Sequence, residues 1–263
     1  MSSFQKFIAN IGWAVLGKVV VQGLLFAVSI LLTRYLGKEG LGNYATLLVI
    51  PVFIRLLNSF GFETLINAKL PELTIRDSSG AQGRYLVGRL LALRFLTTLV
   101  FCFLIYHFLL YYFDLINKPE LVEFRWALIL YFGGITVDSI LSTLFMTLLR
   151  FKTIAKIEIL GSLLNLVFLI VFILLDYGIY GVLYAYILSV GMTSVIYLIL
   201  ARDQYLGPVK KPDLDDMGHL AGVSYAIAFL GLGLMTQSDV LLMNFFKVTS
   251  GDIGLYHLAT GLT

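Results

Sequence analysis

The sequence predicts an all-α bundle of membrane-spanning helices, and three observations lead there. Hydrophobic residues make up 59% of the chain and charged residues only 13%, whereas soluble domains carry about a quarter charged residues. The mean hydropathy is +0.91. The apolar residues also fall in long blocks separated by charged or Gly- and Pro-bearing stretches. Because a bilayer core is about 30 Å thick and a helix rises about 1.5 Å per residue, each block of roughly 20 residues suffices for one crossing.

Taken in order, the blocks predict helices at 10–35, 42–64, 86–113, 125–150, 154–176, 179–201 and 219–246. An eighth begins after Gly254, but its block ends at Thr263, too short to span, so the chain is expected to continue past Thr263. The first hairpin turn is expected at Gly37, Gly40 and Gly42, where glycine tolerates the positive φ of a tight reversal, with Tyr44 as an interfacial anchor. Pro51 is the expected kink of the second helix.

The basic residues sort by side. With a cytoplasmic N-terminus, Lys6, Lys69, Arg76, Arg84, Arg89, Arg94, Arg150, Lys152, Lys156, Arg202, Lys210 and Lys211 fall inside. Arg34, Lys38, Lys118, Arg125 and Lys247 fall outside, and only Lys18 and Arg55 lie within spans. This excess of inner Lys and Arg predicts an N-in orientation. It also leaves no basic face for nucleic acid, and the net charge is only +3.

Residues 202–218 carry two of the five prolines and charges of both signs, and read as a cytoplasmic linker. The expected organisation is therefore a six-helix lobe over 1–201, the linker, and the start of a second lobe over 219–263. A pattern recurs across the linker. Leu41-Gly42-Asn43-Tyr44 matches Ile253-Gly254-Leu255-Tyr256, each followed by an Ala-Thr pair, which suggests two parallel repeats.

Catalytic chemistry is poorly served. A lone cysteine, Cys102, rules out an internal disulfide and a Cys-based metal knuckle, and His107, His219 and His257 are scattered. No catalytic residue, metal or cofactor is expected. The short outer loops lack the paired carboxylates of a membrane-embedded transferase.

The runs RYLGKEGLGNYATLL, GFETLINAKLPEL and DYGIYGVLYAYI resemble the polysaccharide transporter family, which includes flippases of O-antigen and other lipid-linked oligosaccharides, within the multidrug/oligosaccharidyl-lipid/polysaccharide superfamily. The resemblance covers nearly the whole chain and rests on turn glycines and apolar spacing. It implies two pseudo-symmetric six-helix lobes around a central cavity, working by alternating access in a bacterial inner membrane. It further implies a polyprenyl-pyrophosphate-linked glycan as substrate, membrane lipids and glycan-assembly proteins such as a polymerase as partners, and a monomer. A cation-coupled multidrug exporter of the same superfamily is the alternative. That reading favours an acidic residue in helix one, which has none.

The candidate substrate-binding residues are the polar groups inside spans, which cost roughly 2.5–3.5 kcal/mol each to insert when charged and so tend to face water or each other. Lys18 shares a polar stripe of helix one with Gln22, Ser29 and Thr33. Arg55 shares a side of helix two with Asn58. At the usual helical rise Lys18 and Arg55 lie about 27 and 21 Å below the outer edge, positioned to attract a diphosphate. Asp138 on helix four lies at a depth matching Arg55, as a switchable or static partner. Asp239, beside Gln237, Ser238 and Thr236 in helix seven, could take up a proton or cation. Glu158 is expected at the inner interface.

Overall fold

The computed structural model describes residues 3–212, 217–228, 230 and 238–261, and it is all-helical, with no strand among them. Helices run α1 Ser3–Leu57, α2 Phe62–Arg76, α3 Ala81–Leu115, α4 Arg125–Thr147, α5 Phe151–Leu174, α6 Gly178–Ala201, α7 Met217–Ala228, α8 Ser238–Phe245 and α9 Ser250–Gly261. Among the described residues five helices are long and apolar enough to cross a membrane, including Ile11–Leu57. Their outer faces are oily. Val19 on α1 and Phe95 and Phe103 on α3 are each more than 60% exposed, as expected where lipid is the solvent.

Helix α1 is two arms joined at Gly37, whose φ of 65° and ψ of −176° depart from helical values. The arms fold back on each other. Val21 of the first arm and Val52 of the second border cavities that share Asp138, whereas a straight helix would hold them about 46 Å apart. The reversal is confined to Gly37; Gly40 and Gly42 remain helical. Gly42 is small for another reason, since a Cβ built there would fall on the carbonyl of Ser250 at the start of α9. A Cβ on Gly254 would likewise meet the backbone of Lys38 and Gly42. The two copies of the repeated motif therefore pack against each other, backbone to backbone. Tyr44 is not an interfacial anchor. It is 3% exposed and its hydroxyl donates to that of Tyr186, 2.9 Å away, because the rings of Tyr186 from α6 and His257 from α9 pack against it.

The second arm of α1 does not kink at Pro51, where no departure from helical geometry occurs. It stops instead at Leu57, and the chain passes through Phe60 and Gly61, both at positive φ (46° and 70°), before α2 begins. Glycine at 61 admits the backbone of Ala221 from α7 at a distance a side chain would forbid. The predicted helix 42–64 is thus broken near its C-terminal end. The predicted helix 219–246 falls partly on residues outside the described ones.

Three apolar clusters hold the bundle. Phe113, Leu128 and Phe132 join α3 and α4 to the second arm of α1. Ile66, Leu86, Leu141 and Tyr197 join α2 through α6, and Val28, Leu32, Leu169 and Ala185 join α1, α5 and α6. Polar ties close the ends. Asp77 accepts from Ser79 N (3.0 Å), Ser79 Oγ (2.6 Å) and Gln82 N (3.0 Å) at the turn before α3, which holds its carboxyl below the usual range. The chain after α6 is pinned to the same turn: Arg84 Nε donates to the Pro208 carbonyl at 2.9 Å and Lys210 N to the Ala81 carbonyl at 3.2 Å. At the other end Lys118, 9% exposed, donates to Asn244 Oδ1 at 2.9 Å, an oxygen 3.1 Å from Thr46 Oγ1. Burial depresses the pKa of its ammonium.

Gly42→Ala is expected to push α9 off α1 and lower stability by about 1–3 kcal/mol through overpacking. Gly40→Ala, whose new methyl meets only the side chain of Leu36, should cost much less. Thermal unfolding of the two variants in detergent checks the ordering.

Candidate functional site

Arg55 occupies the last turn of α1, three residues before the break, where the carbonyl end of a helix favours a cation. Its side chain lies at a cavity of about 300 Å³ lined also by Tyr131, Asp138, Ser139 and Ser142 of α4. Asp138 lines the same cavity as Arg55, near enough for the guanidinium's charge to act on the carboxylate. No ion pair within 4 Å joins them among the described residues. The Asp138 carboxylate instead accepts from Thr193 Oγ1 of α6 at 3.0 Å. Arg55 thus faces a hydroxyl-lined recess with donors uncommitted to a carboxylate, the arrangement that suits an incoming oxyanion.

A second cavity, about 340 Å³, lies on the other side of Asp138. It is framed by α1, α4, α5 and α6 and reaches Glu158 and Asn165 on α5. Tyr131, Asp138 and Val190 border both spaces.

A buried ion pair fixes the break beside Arg55. Arg94 of α3 is 1% exposed; its Nη2 lies 2.9 Å from Glu63 Oε1, and its Nη1 donates to the Asn58 carbonyl left open by the end of α1. Ser139 Oγ donates to the same Glu63 oxygen at 3.0 Å. Asn58 Nδ2 donates to Thr98 Oγ1 at 3.1 Å. Arg94 is therefore not one of the interfacial cations of the inner side. It lies within a span and pins α2, α3 and α4 at the helix break.

The structure brings Arg55 and Asp138 together and places Asn58 in the neighbouring brace rather than in either cavity lining. Lys18 and Gln22 lie on exposed faces of α1. Lys18 is nonetheless close enough to Glu158 for its charge to reach it. Thr33 Oγ1 donates to the Ser29 carbonyl at 2.8 Å, so part of that polar stripe satisfies itself along the helix. Asp239 is exposed at the start of α8, accepts a hydrogen bond from Tyr256 of α9 and does not line the cavity beside Arg55; Thr236 and Gln237 lie outside the described residues. Sequence reading missed Glu63, Ser139 and Asn165. Glu63 alone had a visible signal, the one charged residue in the run GFETLIN.

The sequence profile of the polysaccharide biosynthesis protein family matches residues 7–263. The chain belongs to that family. Its membership, with the long apolar helices, makes it a multi-pass membrane protein of the polysaccharide transport class, in the flippase superfamily that its turn motifs resemble. Comparison with curated proteins and with solved structures gave no match.

Arg94→Met leaves the Glu63 carboxylate with only Ser139, and is expected to cost about 3 kcal/mol, the usual penalty for stranding one half of a buried pair. The double variant Arg94→Met/Glu63→Gln should recover most of that loss. Unfolding midpoints in detergent decide it; equal losses in the single and double variants would show the pair is not coupled.

Proposed function

We propose that this polysaccharide biosynthesis family member flips a polyprenyl-pyrophosphate-linked oligosaccharide, such as an O-antigen, capsule or exopolysaccharide repeat unit, across the bacterial cytoplasmic membrane. The observation that carries the reading is Arg55: a guanidinium within a span, bordering a polar recess with no carboxylate within 4 Å among the described residues. An arginine left in that state is costly unless water or an anion joins it. A diphosphate supplies the anion, and Tyr131, Ser139 and Ser142 supply hydroxyls for phosphate or sugar oxygens.

In this reading residues 1–201 form the first lobe, 202–218 the cytoplasmic linker and 219–263 the start of the second lobe. The N-terminus is cytoplasmic, and the lobes alternate access while the polyprenyl tail stays in lipid. Lys18, with Gln22 one turn on, draws the anionic headgroup toward the hairpin from the membrane side. Asn58 acts indirectly by fixing the end of α1, and Asp138, held by Thr193 rather than by Arg55, leaves the guanidinium open to the substrate. Asp239, tied to Tyr256, contributes at the α8–α9 contact. The protein acts as a monomer beside glycan-assembly proteins such as a polymerase, and performs no covalent chemistry.

The test is translocation of a lipid-linked oligosaccharide by reconstituted protein. Arg55→Ala is expected to reduce it roughly ten- to a hundredfold, the worth of one or two hydrogen bonds to a charged group, with unchanged folding and membrane insertion. Arg55→Lys keeps the charge without the fork and should fall between. Undiminished translocation by Arg55→Ala would overturn the site, and drug export without glycan translocation would favour the multidrug exporter.

A further inference from the structure

A third cavity, of about 370 Å³, lies where α2 and α3 meet the chain that follows α6, and it shares no lining residue with the two beside Asp138. Its walls are apolar. Phe62 and Leu65 of α2 and Leu86 and Leu90 of α3 are buried, and Ala221 of α7 adds to the lining. Leu93, three residues further along α3, is 38% exposed, so the cleft reaches the lipid-facing surface of that helix. Among the described lining residues the charges are two cations, Arg89 and Lys211.

Both cations are steadied without being neutralised. Arg89 Nη1 donates to the hydroxyl of Tyr85, also in the lining, at 2.9 Å. Lys211 follows Lys210, whose backbone N–H is bonded to the Ala81 carbonyl, so the segment that carries it is tied to the start of α3. Among the described residues no carboxylate lies within 4 Å of Arg89 or Lys211. An apolar cleft edged by two such cations matches a ligand that is hydrocarbon at one end and anionic at the other. We propose that it binds an anionic phospholipid of the surrounding bilayer, with an acyl chain against the leucines and the phosphate on Arg89 and Lys211. Basic pockets between membrane helices hold anionic headgroups on the same ground, since each nearby cation adds attraction to the phosphate. The described lining offers one hydroxyl, that of Tyr85, and no Ser, Thr, Asn or Gln, which leaves little to read a sugar and favours a phospholipid over a glycan-bearing lipid.

The position of the cleft gives the lipid a consequence. A phosphate shared by Arg89 and Lys211 ties α3 to the chain leading towards α7, near the point where Gly61 admits the backbone of Ala221. Anionic lipid then stabilises the packing of α7 on α2, by mass action on the state in which the cleft is assembled. The site depends on the cleft and its cations and not on the role proposed for Arg55.

The experiment titrates the purified chain in detergent with dioleoyl phosphatidylglycerol or dioleoyl phosphatidylcholine and counts bound lipid by native mass spectrometry. Phosphatidylglycerol is expected to bind roughly tenfold more tightly, on the strength of two cations. Arg89→Gln/Lys211→Gln should abolish that preference, and Leu93→Trp, which crowds the cleft without altering charge, should weaken phosphatidylglycerol binding several-fold. Arg76→Gln/Arg202→Gln removes two exposed cations that do not line the cleft and should leave the preference intact, which separates a site from general attraction to a basic surface. Equal binding of the two lipids by the unaltered chain would overturn the site. A preference that survives Arg89→Gln/Lys211→Gln, or that falls equally in Arg76→Gln/Arg202→Gln, would overturn it too, as would unweakened binding in Leu93→Trp. Displacement of phosphatidylglycerol by an equimolar polyprenyl-pyrophosphate-linked glycan would give the cleft to that lipid instead. Because no transport is measured, the outcome is independent of the translocation assay.

Discussion

Charge within hydrocarbon must be met by an opposite charge or by water, and the interior of this bundle is arranged around two different answers to that demand. Arg94 takes the first. It is enclosed by protein, joined to Glu63 and capped onto the end of α1, so its charge is spent on holding three helices together. Arg55 takes the second, bordering open space with Asp138 near but not clasped. The same residue type is structural at one position and available at the other because of what the neighbouring oxygens are doing.

The helix break links the two. Had the second arm of α1 continued through residues 58–61, Arg55 would sit mid-helix with its backbone fully bonded, and Glu63 would project elsewhere. Positive φ at Phe60 and Gly61 redirects the chain into α2, turning Glu63 toward Arg94 and Ser139. Ser139 then serves both neighbourhoods, as partner to Glu63 and as part of the wall around Arg55. Broken helices whose ends border a cavity are a recurrent way to present charge inside a membrane protein, since irregular backbone there can be satisfied by protein or water.

Much of the architecture was readable from residue pattern. The four apolar blocks that became α3 to α6 matched to within a few residues, since hydrocarbon thickness dictates their length and little else competes. The meeting of Arg55 with Asp138 was readable from depth alone. The break at Phe60 and Gly61 was not, because Pro51 offered a more obvious interruption and positive φ at a phenylalanine has no signature in composition. Arg94 misled because its neighbour Arg89 is exposed and Arg84 half-buried, and its partner Glu63 is 31 residues away. Asn165 and Tyr197 gave no warning: a single amide or phenol in an apolar helix is ordinary, and only the packing of α4, α5 and α6 reveals that their oxygens go unanswered.

The central claim is that the recess beside Arg55 is wet and reachable by an anionic headgroup. With Cys102, the native thiol, replaced by alanine, Ser139→Cys places a thiol in that recess and Phe103→Cys places one on the lipid-facing side of α3. In membrane vesicles opened to the cytoplasmic side, a charged, membrane-impermeant maleimide should label position 139 and leave position 103 untouched, with added polyprenyl-pyrophosphate-linked glycan slowing the reaction at 139. A thiol at 139 as inert as the one at 103 would show that Arg55 faces no water, and would contradict the account.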